Sequence, residues 1–213
     1  MSLGSMNVHV AQNAVCGPVV RIVCAVALVG MSGCGDVVRQ GSSSSYLIVN
    51  SMEGASGAEP NEFGGTLQSD VLTVVDGNPT IFNDLARVRF TLGLKDAGGA
   101  ETPTSPTSNN FITVDRYNVR YFRADGRNTP GVDVPYAFDG AFTATVGASA
   151  VQVGFTIVRP QAKAEMPLAA LARNLLVIST IAEVTFYGRD QTGREVIATG
   201  RIGIDFANFG DPN

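Results

Sequence analysis

The sequence predicts an all-β fold: an antiparallel β-sandwich of about seven or eight strands with one short helical turn. Three observations carry this. Apolar residues recur at every second position in segment after segment, which is the pattern of strands with one dry and one wet face. Turn-forming clusters separate those segments: Asp76-Gly77-Asn78-Pro79, Asp96-Ala97-Gly98-Gly99, Asp125-Gly126-Arg127-Asn128 and Asp190-Gln191-Thr192-Gly193. No long segment has the helical period of 3.6.

In chain order, the first strand candidates are 46–52 and 70–76. In 85–94, Ala86, Val88, Phe90, Leu92 and Leu94 alternate with Arg87, Arg89, Thr91 and Gly93. The candidate at 111–123 changes phase. Ile112 and Val114 follow one parity and Tyr117, Val119 and Tyr121 the other, which calls for a β-bulge near Asp115. Candidates at 136–146 and 151–157 follow, the latter with Val151, Val153, Phe155 and Ile157 on one face. The stretch Glu165–Arg173 is rich in Ala and Leu, with Pro167 near its start, and predicts one or two helical turns. Strands at 175–188 and 194–206 close the body, with Val196, Ala198, Gly200, Ile202, Ile204 and Phe206 in phase.

A different kind of segment stands ahead of the strands. Arg21 precedes the apolar run Ile22–Gly30, and Met31-Ser32-Gly33 then leads to Cys34. A positive start, a short apolar core and small residues at a cleavage point are the layout of a secretory signal peptide. The run falls short of the ~20 residues that span a bilayer. Small residues directly before a cysteine resemble the lipobox of bacterial lipoproteins, although Met31 stands where Leu is usual. The resemblance implies removal of 1–33 and lipidation of Cys34 on sulfur. Gly35 after the cysteine, in place of Asp, implies sorting to the outer membrane. Residues 34–45 then read as the lipidated Cys and a Gly/Ser-rich flexible tether. Residues 46–213 read as the sandwich domain.

Composition excludes several chemistries. The 180 residues from Cys34 onward carry 14 of the 15 basic side chains and all 19 acidic ones, a formal charge of −5. Arg and acid are interspersed, unlike the basic footprint of a nucleic-acid binder. Cys16, Cys24 and Cys34, and the single histidine His9, lie at or before the anchor, and there is no Trp. The folded body therefore has no Cys nucleophile, no Ser–His–Asp triad, no His or Cys metal site and no disulfide. A core of this size does not require disulfides. No cofactor is expected.

Four groups of residues are candidate sites. On the strand Arg116–Arg123, Arg116, Asn118 and Arg120 share one face and Tyr117, Val119 and Tyr121 the other. Such a face could bind a partner, or its arginines could simply pair with acids on neighbouring strands. Loop Asp and Asn residues (Asp76, Asn78, Asn83, Asp84, Asp125, Asn128, Asp133, Asp190, Asn208, Asp211 and Asn213) raise bound calcium as an alternative, although no EF-hand spacing is present. The same residues are the usual turn formers. A carboxylate pair for hydrolysis is not singled out by any spacing. The Ser/Thr/Pro-rich run Thr102–Asn110 reads as a long connection.

The strand count and the helical connection before the second-last strand resemble an immunoglobulin-like domain with strands A, A′, B, C, D, E, F and G, without its Cys…Trp…Cys hallmark. A jelly roll is the alternative fold. The resemblance implies that the chain emerges near 95–110 and 189–194. The opposite end then carries the segment around Asp125–Asp133, the helical turn and 208–213. Loops on a rigid sandwich are where binding residues sit. The expected partner contacts are Arg127, Asn128, Asp133 and Tyr136, with the Arg116/Arg120 face as the alternative surface. The expected function is that of a non-catalytic module, anchored to the outer membrane through lipid, which docks on another envelope protein. The alternatives are a carboxylate-based hydrolase and a structural subunit of a surface assembly.

Overall fold

Every second residue of the strand Ile178–Asp190, from Thr180 to Asp190, is buried. The same alternation runs through Glu195–Ala207. They are the central strand and one of its neighbours in the larger of the two main sheets. The computed structural model describes residues 43–210; Cys34 and the segment before it lie outside the described residues, as do Asp211 and Asn213. The strands are β1 (Ser45–Ala55), β2 (Thr66–Asp70), β3 (Thr73–Val75), β4 (Asn78–Thr80), β5 (Asp84–Leu94), β6 (Gly98–Gly99), β7 (Thr102–Pro103), β8 (Ile112–Phe122), β9 (Phe138–Val146), β10 (Val151–Val158), β11 (Ile178–Asp190) and β12 (Glu195–Ala207). One sheet has the order β1-β5-β10 and the other β2-β12-β11-β8-β9. Two short hairpins, β3–β4 and β6–β7, decorate the loops. The architecture is an all-β sandwich, as the alternation predicts.

Between the sheets the core is aromatic. Phe90 of β5 meets Phe186 of β11 edge-on at 4.9 Å, and Phe155 of β10 meets Tyr117 of β8 at the same distance. Edge-to-face pairs place positive ring edges on negative faces. Tyr117 and Tyr121 face inward, as their parity requires. Their hydroxyls donate across the sandwich to the carbonyls of Thr156 (3.1 Å) and Ile157 (2.5 Å) on β10. A buried phenol keeps such a partner because an unpaired one costs free energy. Burial raises the Tyr121 phenol far above its ordinary range. The expected bulge is present at Asp115: β8 shifts register there against both β11 and β9.

Several elements differ from the expectation. The sheet is not antiparallel throughout, because β2 runs parallel to β12. The 70–76 candidate contains only the short strand β3, which begins at Thr73, while β2, which the sequence did not single out, ends at Asp70. Asp70 causes the break, since its carboxylate accepts from the Thr73 hydroxyl (2.6 Å) and from the amides of Leu72 (3.4 Å) and Phe209 (3.1 Å). The strand at 138–146 pairs with β8, so it continues the larger sheet instead of joining β10 as a D strand would. The helical connection starts earlier than expected, as an α-helix at Pro160–Ala164 with Pro at its first turn, followed by a 3₁₀ turn at Leu168–Arg173. The body also starts earlier than 46. Ser45 opens β1, the Lys95 amide donates to the Ser44 carbonyl (3.0 Å), and Asn110 Nδ2 donates to Ser44 Oγ (2.8 Å). The described chain thus comes in beside Lys95 and Asn110, at the end where the resemblance places it.

One polar cluster is buried at the opposite end. Asp84, at the start of β5, and Lys163, on the short helix, are both inaccessible to solvent. Lys163 Nζ donates to Asp84 Oδ1 and to the Asp70 carbonyl, each at 2.7 Å. Asp84 Oδ1 also accepts from the Gly57 amide (2.9 Å), and its Oδ2 from the Ser69 hydroxyl (2.6 Å). Burial pushes the Asp84 carboxyl up, and the Lys163 ammonium beside it acts in the opposite direction. Removing one partner leaves the other charge buried and unpaired. Lys163→Ala should therefore cost ~3–5 kcal/mol, and a double change of Lys163→Met with Asp84→Leu should recover much of that loss. Equilibrium urea unfolding measures both. A similar cost for Lys163→Met alone and for the double variant would show that the charges are not the cause. Phe90→Ala and Phe155→Ala should each cost ~3–5 kcal/mol in the same assay, the usual penalty for truncating a buried aromatic.

Candidate functional site

The connection from β8 to β9 builds the loop that the sequence singled out. Its first half is a turn closed by side chains. Asn128 Oδ1 accepts from the Arg123 amide at 2.6 Å. The Asp125 carboxylate receives Arg123 (Nη2, 2.8 Å) and Arg127 (Nη2, 2.8 Å; backbone N, 3.1 Å). Hydrogen bonds from Arg123 and then Arg127 hold the Asp125 carboxyl well below the usual carboxylate range. In the second half, Asp133 Oδ2 accepts from the Thr129 amide (3.1 Å), and the Asp133 amide donates to the Thr129 carbonyl (2.8 Å). Gly131 has φ +75 and packs under the Tyr136 ring, so a Cβ at 131 would collide with that ring. Tyr136 and Val132 remain exposed, at 55% and 66%.

The candidates therefore divide. Asn128 and Asp133 spend their acceptors on shaping the loop. Arg127 is exposed and leans on Asp125. Tyr136 is free to meet a partner. A groove of about 330 Å³ brings Asn128 together with Arg120, Tyr121, Phe122, Pro130 and Val134, so the loop and the end of the sheet face form one surface. Arg116 lies elsewhere. Its guanidinium stacks on Tyr187 of β11, 4.2 Å from the ring centre. It lines a second groove of about 220 Å³ with Asp115, Arg189 and Glu195. Along that face, Arg201 pairs with Glu183 (2.7 Å) and Arg189 with Glu195 (3.6 Å), so cross-strand neutralisation accounts for much of it.

A run of exposed apolar residues, which includes the most exposed one described, Leu175, is not evident from the sequence. Leu175, Leu176 and Val177 are 98%, 66% and 54% exposed. The sequence places them in a strand, but β11 begins only at Ile178. Asn174 diverts them: its amide donates to the Leu171 carbonyl (3.2 Å), closing the 3₁₀ turn, and its Oδ1 accepts from the Leu176 amide (2.9 Å). Four consecutive apolar residues, Leu175 to Ile178, with no alternation are the only signal that could have revealed this. Met166, in the same connection, is 57% exposed.

Four of the loop carboxylates proposed as calcium ligands, Asp84, Asp125, Asp133 and Asp190, are engaged otherwise. Asp84 holds Lys163, Asp125 holds two arginines and Asp133 caps its own loop. Asp190 Oδ1 accepts from the Thr192 amide (2.9 Å) and hydroxyl (2.6 Å) and from the Arg194 amide (2.9 Å). Burial raises that carboxyl, but the hydrogen bonds outweigh burial and leave it lowered. Among the described residues no three His, Cys, Asp or Glu lie together as a metal group, and no helix is long and apolar enough to cross a membrane. A scan against protein-family models finds no match, and neither does a search of the curated proteins.

Because the folded pKa of Asp125 lies below its ordinary value of 3.8, its stabilising contribution is present above that value and is lost as pH falls through the folded pKa. In an NMR titration from pH 7 to 3, the Asp125 carboxyl signal should stay essentially constant. With Arg123→Ala and Arg127→Ala together, it should titrate as an ordinary aspartate. Titration near 4 in the unaltered protein would show that the arginine clamp does not form in solution.

Proposed function

We propose that this chain is a non-catalytic envelope protein, held at the outer membrane by a lipid on Cys34, whose distal end docks on another envelope protein. The observation that carries the docking part is the distribution of exposed apolar side chains. Val132 and Tyr136 fall in the β8–β9 connection, and Met166, Leu175, Leu176 and Val177 in the β10–β11 connection. Both connections lie at the end opposite Ser43–Ser45. Grouped exposed apolar residues on a soluble domain mark interaction sites. Arg127 and the groove holding Arg120 and Asn128 border the same end and supply a polar rim. The anchoring part rests on the apolar run ending in Ser32-Gly33-Cys34.

The hydrolase alternative rests on Asp115 and Glu195, which share the smaller groove. Glu195 is paired there with Arg189. Such a cross-strand pairing gives this carboxylate a structural partner. A hydrolytic activity abolished by Glu195→Gln would favour this alternative.

Two measurements test the proposal. Mass spectrometry of membrane-extracted protein should show a chain that begins at Cys34 with added acyl mass. Cys34→Ser should move the protein to the soluble fraction or block processing. An intact N-terminus on a soluble protein would overturn the anchor. For docking, co-purification from solubilised membranes should recover a partner. Leu175→Asp with Leu176→Asp should reduce that recovery by at least about tenfold, the scale of a lost interface hot spot. Arg127→Ala with Asp133→Ala should reduce it less, because those side chains mainly hold the loop. Undiminished recovery from both folded double variants would move the contact to the Arg116/Arg120 face.

A further inference from the structure

The end where the described chain comes in has an amphipathic corner of its own. Tyr46 and Ile48 of β1 are 55% and 43% exposed, and Ile197 of β12 is 38% exposed. Tyr46 sits opposite Gly93 on β5, and Ile48 Cδ1 lies over the same glycine, 3.0 Å from where a Cβ would stand. A side chain at 93 would press on the tip of Ile48. Around the sandwich edge, a groove of about 220 Å³ joins Tyr46 to Ile197 and Lys95. Lys95 Nζ stands 5.1 Å from the centre of the Tyr46 ring. The corner thus presents a phenol, two aliphatic side chains and an ammonium on a long apolar stem. This set suits the boundary between lipid headgroups and acyl chains, where Tyr presents an apolar body with a polar tip and Lys extends its charge to the phosphates.

Position selects the occupant. Ser43 follows Cys34 by nine residues, so covalent geometry alone keeps it within ~30–32 Å of that residue at ~3.3–3.6 Å per residue. The distal connections lie farther off by the length of the 13-residue strand β11, or ~40 Å at ~3.3 Å per residue. A short link holds a weak binding surface at an effective concentration on the order of mM, so few side chains suffice to keep it engaged. The hydrogen bonds of Ser44 and Ser45 to Lys95 and Asn110 also hold the start of the described chain at this corner.

We infer that this corner is a lipid-contact surface. In the anchored protein, Tyr46, Ile48 and Ile197 rest in the headgroup region of the bilayer, and Lys95 faces lipid phosphate. The domain then stands with its distal loops outward. This rests on the lipid anchor at Cys34 proposed above.

The test uses the lipidated full chain in phosphatidylcholine vesicles that contain a shallow nitroxide-labelled phosphatidylcholine. Single-cysteine variants Ile48→Cys, Ile197→Cys and Leu175→Cys carry a fluorophore, and mass spectrometry of each sample reads the acyl group on Cys34. Labels at 48 and 197 should be quenched at least about twice as strongly as the label at 175. Adding Tyr46→Ser to Ile197→Cys should lower the quenching at 197 by about half. Equal or weaker quenching at 48 and 197 than at 175, on a chain with acylated Cys34, would overturn the lipid contact and leave the anchor standing. An emission shift at 48 that persists in detergent without lipid quenching would assign the corner to a second copy or a protein partner, and would also overturn it. An unacylated Cys34 in membrane-extracted protein removes the anchor and this contact together.

Discussion

The Lys163–Asp84 pair is the constraint on which the distal half of the molecule depends. Four separate segments meet on one carboxylate: the loop after β1 through the Gly57 amide, β2 through Ser69, the start of β5 as Asp84 itself, and the helical connection through Lys163. The same ammonium also ties the Asp70 carbonyl at the end of β2. The chain leaves the first sheet after Ala55 and joins the second at Thr66, and this cluster holds the crossing in place. Taking two charges out of water is expensive, and the bonds to the Asp70 carbonyl, the Gly57 amide and the Ser69 hydroxyl offset part of that cost. No disulfide is available for this task, since no cysteine follows Cys34.

The two sheets handle their edges differently. β10 is the last strand of the smaller sheet, and the phenols of Tyr117 and Tyr121 reach its Thr156 and Ile157 carbonyls from the facing sheet. Backbone groups at a sheet edge are otherwise open to pairing with another chain. Where β1 passes β12, the contact is made by side chains, with Val49 and Met52 packed over Gly200. The sandwich is therefore closed along this side without a hydrogen-bonded ladder between β1 and β12. A rigid frame of this kind lets the loops at its two ends differ in character. One end holds the incoming chain against Lys95 and Asn110, and the other holds exposed Leu, Val and Tyr.

The arginines illustrate how packing decides what a charged residue can do. Arg116 and Arg120 share a strand face and the same parity. Yet Arg116 lies flat on Tyr187, whereas Arg120 reaches the groove under the β8–β9 loop. Stacking keeps a guanidinium hydrated on one side and makes it less free to engage a new partner. The intended loop contacts show the same division: Asn128 and Asp133 turned inward to the backbone, while Tyr136 stayed outside.

By itself the sequence determined most of the long strands, their inward faces, the bulge at Asp115 and the main turns. All of these follow from local alternation and turn chemistry, which act over a few residues. It also determined that the body contains no thiol or imidazole chemistry. Only the tertiary structure decided the rest. Asp84 and Lys163 stand 79 positions apart, and a lysine among Pro160, Gln161 and Ala162 reads as solvent-facing until the helix is docked. The parallel pairing of β2 with β12 and the placement of β9 beside β8 depend on which edge is free once the other strands have paired. Alternation does not encode that choice. The exposure of Leu175–Val177 was decided in the same way, because a run of apolar residues fits a buried strand equally well. Asn174 and the 3₁₀ turn before it direct that run outward, and strand pairing resumes only at Ile178.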